Sequence, residues 1–472
     1  MLKDELSKRG YNCEEIRLSQ FLQVLDLKAT PPKQNALEYE RINCLMNRGN
    51  ELRQLYNGGE ALALLAAAQI NSQRPETENS FMSGRAFIFN QLKHPDEVYW
   101  LRKIYGTSFH LIGVFCPESI RRNYFKVHYG LSEEQIDNLI KRDEEENDPF
   151  GQHLRDTYYL ADVFIEITSE ISELQESLKQ LERYFKLLFC EEIITPTPDE
   201  YGIYLAYAAS LRSADLSRQV GAAILSNNRE VISLGVNEVP APQGGQYWED
   251  FEDDKRDFKV GYDSNVIIKR EALKEVLSVL IGDFKGLSED DQNSIIDERS
   301  KKMGWTRMMN LTEFGRAVHA EMEAILAAGR IGVSVRGFEL YTTTFPCHNC
   351  AKHIVGAGIK RVVYIEPYPK SLAQTLHNDA IIFSEDQNDN NSEQKTRFEP
   401  FVGVGPRMYS NLFSILTPFG RRLKRKGKDG NICIESPQLR ISASPLTYIN
   451  REAAAAVAMA RIGQIEKKEE KK

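Results

Sequence analysis

His319-Ala320-Glu321 and, further on, Pro346-Cys347-His348-Asn349-Cys350 bracket the stretch on which the reading of this chain turns. Between them, Glu321-Met322-Glu323-Ala324-Ile325-Leu326-Ala327-Ala328 is rich in helix formers. Gly337-Phe338-Glu339-Leu340-Tyr341-Thr342-Thr343-Thr344 carries the β-branched and aromatic residues of a strand, with glycine at its edge. Pro346 then opens a second helix. Residues two apart do not share a face in mid-helix, so His319 and Glu321 converge on one point only if they sit at a helix start. Cys347 and Cys350 fall in the opening turn of the second helix, where unpaired N–H groups and the helix dipole favour thiolate over thiol. The 28 residues from His319 to Cys347 accommodate one helix, one strand and their turns, which brings two helix starts to one edge of a sheet.

One imidazole and two thiolates are three ligands for zinc and leave a fourth position open, the arrangement of a catalytic rather than a structural site. H-x-E followed by P-C-x-x-C is the signature of zinc deaminases. In that chemistry Glu321 moves protons: from the attacking water to a pyrimidine ring nitrogen, and later to the departing amine. The products are a uracil-type base and ammonia. The cysteine pair also reads as a redox motif or half of a structural zinc knuckle, but a knuckle needs a second pair, which the sequence lacks. His348 and His353 are the rival ligands and Glu323 the rival acid. They read as a loop residue beside the site, a helix-surface histidine and a surface ion-pair partner.

The 472 residues suggest two or three domains with ample core. A net charge of −8 argues against a general nucleic-acid-binding surface, though a locally basic pocket is compatible with it. Apart from Cys347 and Cys350 the seven cysteines are scattered, as in a reducing compartment. No signal peptide is recognisable, and the longest apolar run, Ala61 to Ile70, is too short to span a bilayer. A cytoplasmic protein with no membrane partner is expected.

Along the chain, Leu2 to Arg9, Glu60 to Gln73 and Pro95 to Ile104 read as helices. Glu15-Ile16-Arg17-Leu18, Ala86 to Phe89, Leu111 to Phe115 and Val163 to Ile167 read as strands. That alternation implies βαβ units and a parallel sheet, so residues 1–193 form one α/β domain. Ile171 to Phe189 is an amphipathic helix with Leu174, Leu178, Leu181 and Phe185 on one face, open as hinge, dimer seam or packed connector. Ile194-Thr195-Pro196-Thr197-Pro198 breaks it and marks a domain boundary.

Phe87-Ile88-Phe89-Asn90-Gln91-Leu92-Lys93-His94-Pro95-Asp96-Glu97-Val98, Tyr105 to Val114 and Ala161-Asp162-Val163-Phe164-Ile165 together resemble the P-loop-kinase-like domain of bacterial anti-phage deoxycytidylate deaminases, in which it precedes a zinc deaminase domain. The resemblance covers nearly the whole chain. One departure stands out. The family's first strand and its G-x-x-x-x-G-K-[ST] phosphate loop should precede the helix at Leu2, and Gly58-Gly59 and Gly84-Arg85 are too isolated to replace them; either the sequence starts downstream of that loop or the domain does not bind nucleotide in the family's manner. No NTPase activity is assigned.

In residues 194–462, expected as the cytidine-deaminase-like α/β/α domain, a helix runs through Ala206 to Ala209. Ser217 to Leu225 and Val231 to Pro240 resemble the first two strands of the deaminase fold. The resemblance makes Asn237 the sugar contact, with a simple turn residue as the alternative. Residues 241–310 form an acidic insertion whose Trp248 to Asp254 reads as a solvated face rather than a second metal site. After the strand Arg361 to Ile365, the segment Glu366 to Ser371, including Tyr368 and Lys370, resembles the family loop that closes over the nucleotide. Lys370 and Arg218 are then either phosphate contacts or surface charges. Phe398 to Arg407 also looks like this family. The run Glu385 to Thr396 is an exposed loop, and the basic run Arg421 to Lys428 is a solvated segment or a site for nucleotide phosphates or RNA. Residues 463–472 are a charged tail.

The resemblance implies dCTP and dCMP as substrates, zinc as cofactor, phage defence by dCTP depletion as the purpose, and a regulator such as an RNA; a homo-oligomer is expected. A housekeeping dCMP deaminase supplying dTMP and an RNA- or DNA-editing deaminase compete with it. The second would need a basic, aromatic-lined groove. A structural zinc in a scaffold would leave Glu321 without a purpose.

Overall fold

The chain begins as an alternation of helices and strands: α1 (Leu2–Lys8), β1 (Asn12–Arg17), α2 (Leu18–Val24), α3 (Glu38–Tyr56), α4 (Ala61–Ser72), β2 (Arg85–Asn90), α5 (Pro95–Tyr105), β3 (Ile112–Phe115), α6 (Glu118–Tyr129), α7 (Glu133–Glu144), α8 (Leu154–Tyr158), β4 (Val163–Glu166) and α9 (Gln175–Leu188). This computed structural model describes residues 1–74, 82–146, 148–167, 174–304, 306, 308–367, 371–383, 394–434, 438–441 and 445–469. After α10 (Pro198–Ser210) come β5 (Gly221–Leu225), β6 (Val231–Val236), α11 (Asp257–Val260), α12 (Ser264–Leu280), α13 (Glu289–Lys302), α14 (Ala320–Arg330), β7 (Glu339–Thr344), α15 (His348–Gly356), β8 (Arg361–Glu366), α16 (Ala373–Leu376), β9 (Ile381–Phe383) and β10 (Thr396–Pro400). The last elements are β11 (Gly403–Val404), α17 (Pro406–Phe413) and α18 (Pro445–Glu469). The mixed α/β character expected from the sequence is present.

Contacts divide the chain into two units, Met1–Glu200 with everything from Val402 onward, and Tyr201–Phe401. In the first unit β1 and β2 pair in parallel, from Asn12 opposite Arg85 to Arg17 opposite Asn90. β3 and β4 also pair in parallel, and β11 adds to β4 antiparallel. The strands therefore pair in the expected sense but form a two-stranded and a three-stranded sheet, not one. The apolar run in α4 is buried almost all round (Ala61, Leu62, Ala63, Leu64, Ala66, Ala67, Ile70), as a helix with no polar face must be. α18 covers it and is held by the buried ion pair of Arg74 with Glu452. Among the described residues no helix is long and apolar enough to cross a membrane.

Two expectations about boundaries are corrected here. The chain after Phe401 does not continue the domain expected over 194–462. Gly403 and Val404 pair with Phe164 and Val163, Gly405 N–H donates to Asp162 O, and Arg440 N–H to Leu188 O, all within the first unit. The separate charged tail at 463–472 is not separate either, since α18 runs on to Glu469. On α9, Leu181 and Phe185 are buried but Leu178 is exposed; Tyr184, Leu187 and Leu188 complete the packed face. Residues 171–173 of that expected helix lie outside the described residues, as does most of the run Glu385 to Thr396.

The second unit is built on a six-stranded sheet in the order β6-β5-β7-β8-β10-β9. β6, β5 and β7 are antiparallel neighbours, whereas β7, β8, β10 and β9 run parallel. The strand expected over Ser217 to Leu225 starts only at Gly221. The insertion before His319 is mainly helical and has a small core of its own from Leu273, Leu277, Phe284 and Ile296. Its acidic stretch is only partly solvated: Glu249 and Asp253 are exposed, while Asp254, partly buried, turns its carboxylate to an ion pair with the buried Arg256.

Candidate active site

α14 lies directly on β6. A Cβ added at Gly235 would come 2.0 Å from Ala320 O, so only glycine permits that approach. Ala320, Ala324 and Ala328, one turn apart and fully buried, keep the packed face of the helix small. The Ser233 hydroxyl donates to Ala324 O and fixes the helix against sliding. These contacts fix where α14 begins: at His319, its extended N-cap residue, with Glu321 in the first turn. Cys347 is likewise the N-cap residue of α15, at the carboxyl end of β7, and Cys350 N–H donates to its sulfur. Both helix starts expected from the sequence are where the argument required them.

The His319 Nδ1 atom lies 3.4 Å from Cys347 Sγ and 3.3 Å from Cys350 Sγ. Among the described residues these three are the one group of His, Cys and acidic side chains close enough to share a metal ion. A tetrahedral zinc with ordinary Zn–S and Zn–N bonds needs donors about 3.6 Å apart. The separations here fit that need, and so does the chemistry of two sulfurs and one imidazole. The hydrogen bond from Cys350 and the adjacent His319 hold the Cys347 thiol down at about 4, although burial opposes them. The same hydrogen bond, with burial, pushes the Cys350 thiol up. Hydrogen bonding to Cys347 raises His319 to about 9 against the effect of burial.

Glu321 is buried beside this cluster, and burial raises its carboxyl above the usual range, with His319 pulling the other way. A carboxyl in that state accepts a proton readily and can give it up again. His348 and His353 stand outside the cluster: His348 faces Glu313 at 3.6 Å, and His353 Nδ1 meets Asn349 O. Glu323 pairs with Arg330 as expected, but buried rather than on the surface.

His319, Glu321 and Cys347 open onto a cleft of about 210 Å³. Arg218 and Asn237 line it as well. The Asn237 amide holds the turn into β5 in place: its Nδ2 donates to Arg218 O and its Oδ1 accepts from Val220 N, each at 2.7 Å. Arg218 is half-exposed at the rim and pairs with Glu366, which in turn accepts from the Thr344 hydroxyl. Tyr368 and Lys370 lie outside the described residues.

One wall of the cleft has no counterpart among the residues expected from the sequence. Asp257, Asp263 and Asn265 reach it from the start of the insertion, and Arg316 from the loop before His319. Arg316 pairs with Asp257 at 2.9 Å. Ser264 and Asn265 donate to Phe314 O and Leu311 O, which ties the first turn of α12 to that loop. Arg316, three residues before His319, could have been flagged by proximity; the insertion residues, more than fifty positions away, carry no local signal.

Residues 196–366 match the family model for the cytidine and deoxycytidylate deaminase zinc-binding region. The chain is 33% identical over 174 residues to the deoxycytidylate deaminase of Enterobacteria phage T2, covering 36% of this chain and 80% of that one. It is 32% identical over 169 residues to the enzyme of that name from Enterobacteria phage T4, covering 36% and 78%. It also aligns with a crystal structure of dCMP deaminase from the cyanophage S-TIM5, at 16% identity over 44% of this chain and all of that one; the TM-score of 0.24 is too low to add to the fold argument. With the shared sequence and the His/Cys/Cys cluster of a zinc centre both in hand, this chain belongs to the cytidine and deoxycytidylate deaminase family and is a zinc-dependent deaminase.

Proposed function

We propose that the chain converts deoxycytidine nucleotides, dCMP or dCTP, to deoxyuridine nucleotides and ammonia. The observation that carries this reading is the buried Glu321 carboxyl beside the three donors at the floor of a cleft with arginines at its side. The phage relatives bear the name deoxycytidylate deaminase, which favours a phosphorylated substrate. His319, Cys347 and Cys350 would hold a zinc ion, which when bound would supply the Lewis acidity that makes water acidic near neutral pH. Glu321 takes one proton from the attacking water as the C4–O bond forms and delivers it to ring N3, then takes the second from the C4 hydroxyl and passes it to the amine as the C4–N bond breaks. Atoms balance as one water consumed and one ammonia released. Arg218, steadied by Glu366, and Arg316 are the cations at hand for phosphate, and Asn237 offers its remaining amide N–H to the sugar. Lys370 and Tyr368 complete the proposed contacts.

The parallel pairs β1–β2 and β3–β4 support a P-loop-kinase-like reading of the first unit. With it goes the wider proposal: an enzyme of the cytoplasm, acting as a homo-oligomer, that drains dCTP against phage under control of a regulator such as an RNA. The test is ammonia release and product identity with zinc-loaded protein on dCTP, dCMP, deoxycytidine, CTP and single-stranded DNA. Turnover of dCTP or dCMP that falls by roughly 10²–10⁴ in Glu321→Ala is expected. Activity on dCMP alone would favour the housekeeping role, and activity confined to the DNA strand would overturn the nucleotide reading.

A further inference from the structure

The active-site cleft is lined by three carboxylates, Asp215, Asp257 and Asp263, as well as by the two arginines Arg218 and Arg316. Left facing the cleft, those acids would repel an anionic substrate. Each is instead engaged in holding an arginine or the segment that carries one. Asp215 Oδ1 accepts from Ser217 N and Arg218 N, at 2.9 and 3.1 Å, which shapes the turn bearing Arg218. Asp257 takes Arg316 itself. Asp263 caps α12: its Oδ1 accepts from Asn265 N and Val266 N, at 2.8 and 3.2 Å.

That cap bears on Arg316 through the loop before His319. With the first turn of α12 held by Asp263, Ser264 Oγ donates to Phe314 O at 2.8 Å and Asn265 Nδ2 to Leu311 O at 3.0 Å. Lys269 Nζ, a little over one turn on, reaches Met309 O at 3.1 Å. On its other flank the loop meets the first turn of α15. There Glu313 Oε1 accepts from Asn349 Nδ2 at 3.4 Å and lies 3.6 Å from His348 Nε2. The loop ends where Val318 and Glu238 exchange backbone hydrogen bonds of 3.0 and 3.3 Å, just past β6. Arg316 therefore stands two residues from a fixed point on either side, Phe314 and Val318.

A guanidinium so placed has lost much of its freedom before any ligand arrives, which lowers the entropic cost of holding one. Asp257 engages its Nη1, and the Arg316 side chain is 33% exposed against 48% for Arg218. A forked donor fixed in this way suits phosphate. The insertion thus reaches the substrate through the loop while supplying no group to the chemistry.

We propose, on the basis of the nucleotide reading of this site, that the capped first turn of α12 positions Arg316 on the substrate's 5′-phosphate, so that the insertion sets the selectivity for phosphorylated over unphosphorylated substrate. Arg316 is the contact, and Asn265 and Ser264 are positioning residues. Changing Asp257 would alter charge and position together, whereas Asn265 and Ser264 are uncharged and report position alone. Steady-state kinetics of the zinc-loaded full chain on dCMP, dCTP and deoxycytidine test the proposal. The readouts are KM for the nucleotide and the ratio of kcat/KM for nucleotide to that for deoxycytidine. Arg316→Gln should lower that ratio roughly tenfold or more, and Asn265→Ala about fivefold, both through KM for the nucleotide with kcat little changed and zinc content intact. In the Arg316→Gln background, Asn265→Ala should have no further effect. Ser264→Ala should act as Asn265→Ala does, and it decides the matter if Asn265→Ala lowers the melting temperature. An unchanged KM and ratio, a fall carried by kcat, or an effect of Asn265→Ala that persists without Arg316 would overturn the proposal. With dCMP or dCTP still turned over, such a result overturns this proposal alone; no turnover of any of the three substrates would overturn the nucleotide reading along with it.

Discussion

Two histidines, one in each unit, show how differently the units are built. His319 stands beside a thiol held low and is raised to about 9. His110, half-buried in the first unit, is lowered to about 4 by burial, with Arg102 adding to the effect, and the Tyr184 hydroxyl meets its Nδ1 at 2.8 Å. The first sits at a helix start, in a cluster whose members are 28 and 31 residues apart in sequence. The second is held by Tyr184 of α9, 74 residues further on. Chemistry concentrated at helix termini is carried by few residues and few contacts, whereas chemistry in the first unit depends on packing over long stretches of chain.

Cys347→Ser would separate the units most sharply. It removes one of two sulfur donors, so zinc content by elemental analysis and turnover should both collapse, while unfolding of the first unit stays unchanged. Next in size is Glu97→Gln, which leaves the fully buried Arg53 without its counter-charge. About 3–5 kcal/mol of first-unit stability should be lost in denaturant titration with zinc content intact. If zinc were lost as well, the contrast between the units would fail.

A smaller effect follows from His110. In the fold its ring stays neutral down to about pH 4, while in the unfolded chain it takes a proton as pH falls through 6.5. Stability is therefore full above 6.5 and declines between 6.5 and 4, by roughly 3 kcal/mol at most. His110→Gln should flatten that dependence, measured as denaturation midpoint against pH. Smallest is Arg218→Ala at the rim of the active-site cleft. A half-exposed cation paired with Glu366 should cost about 1 kcal/mol, seen as a rise in KM for the nucleotide of roughly fivefold with kcat little changed. An equal loss with unphosphorylated deoxycytidine would mean that Arg218 does not serve the phosphate.

Much of the active centre was legible because its parts are local. His319, Glu321, Cys347 and Cys350 could be placed at helix starts from residue types and spacing alone, and α14, β7 and α15 follow the expected limits within a few residues. The family resemblance pointed to Asn237 as a sugar contact, but its two hydrogen bonds to the turn at Arg218 and Val220 were not visible in sequence. In the first unit α1, α4, α5 and α9 were legible from periodicity and end signals, whereas α3, α6, α7 and α18 were not singled out. Its strand pairing was not: an apolar run such as Val163 to Ile167 says that it is a strand, not which strand it joins.

The sequence by itself determined the donor set, the proposed acid and the helix starts that hold them, because residue chemistry and helix-end geometry act over a few residues. Only the tertiary structure decided that Asp257, Asn265 and Arg316 wall the cleft and that the chain from Val402 rejoins the first unit through β11 and β4. Those are contacts between distant segments. They are chosen by which packed surfaces and hydrogen-bonding edges match once the elements exist, and no short-range pattern records that choice.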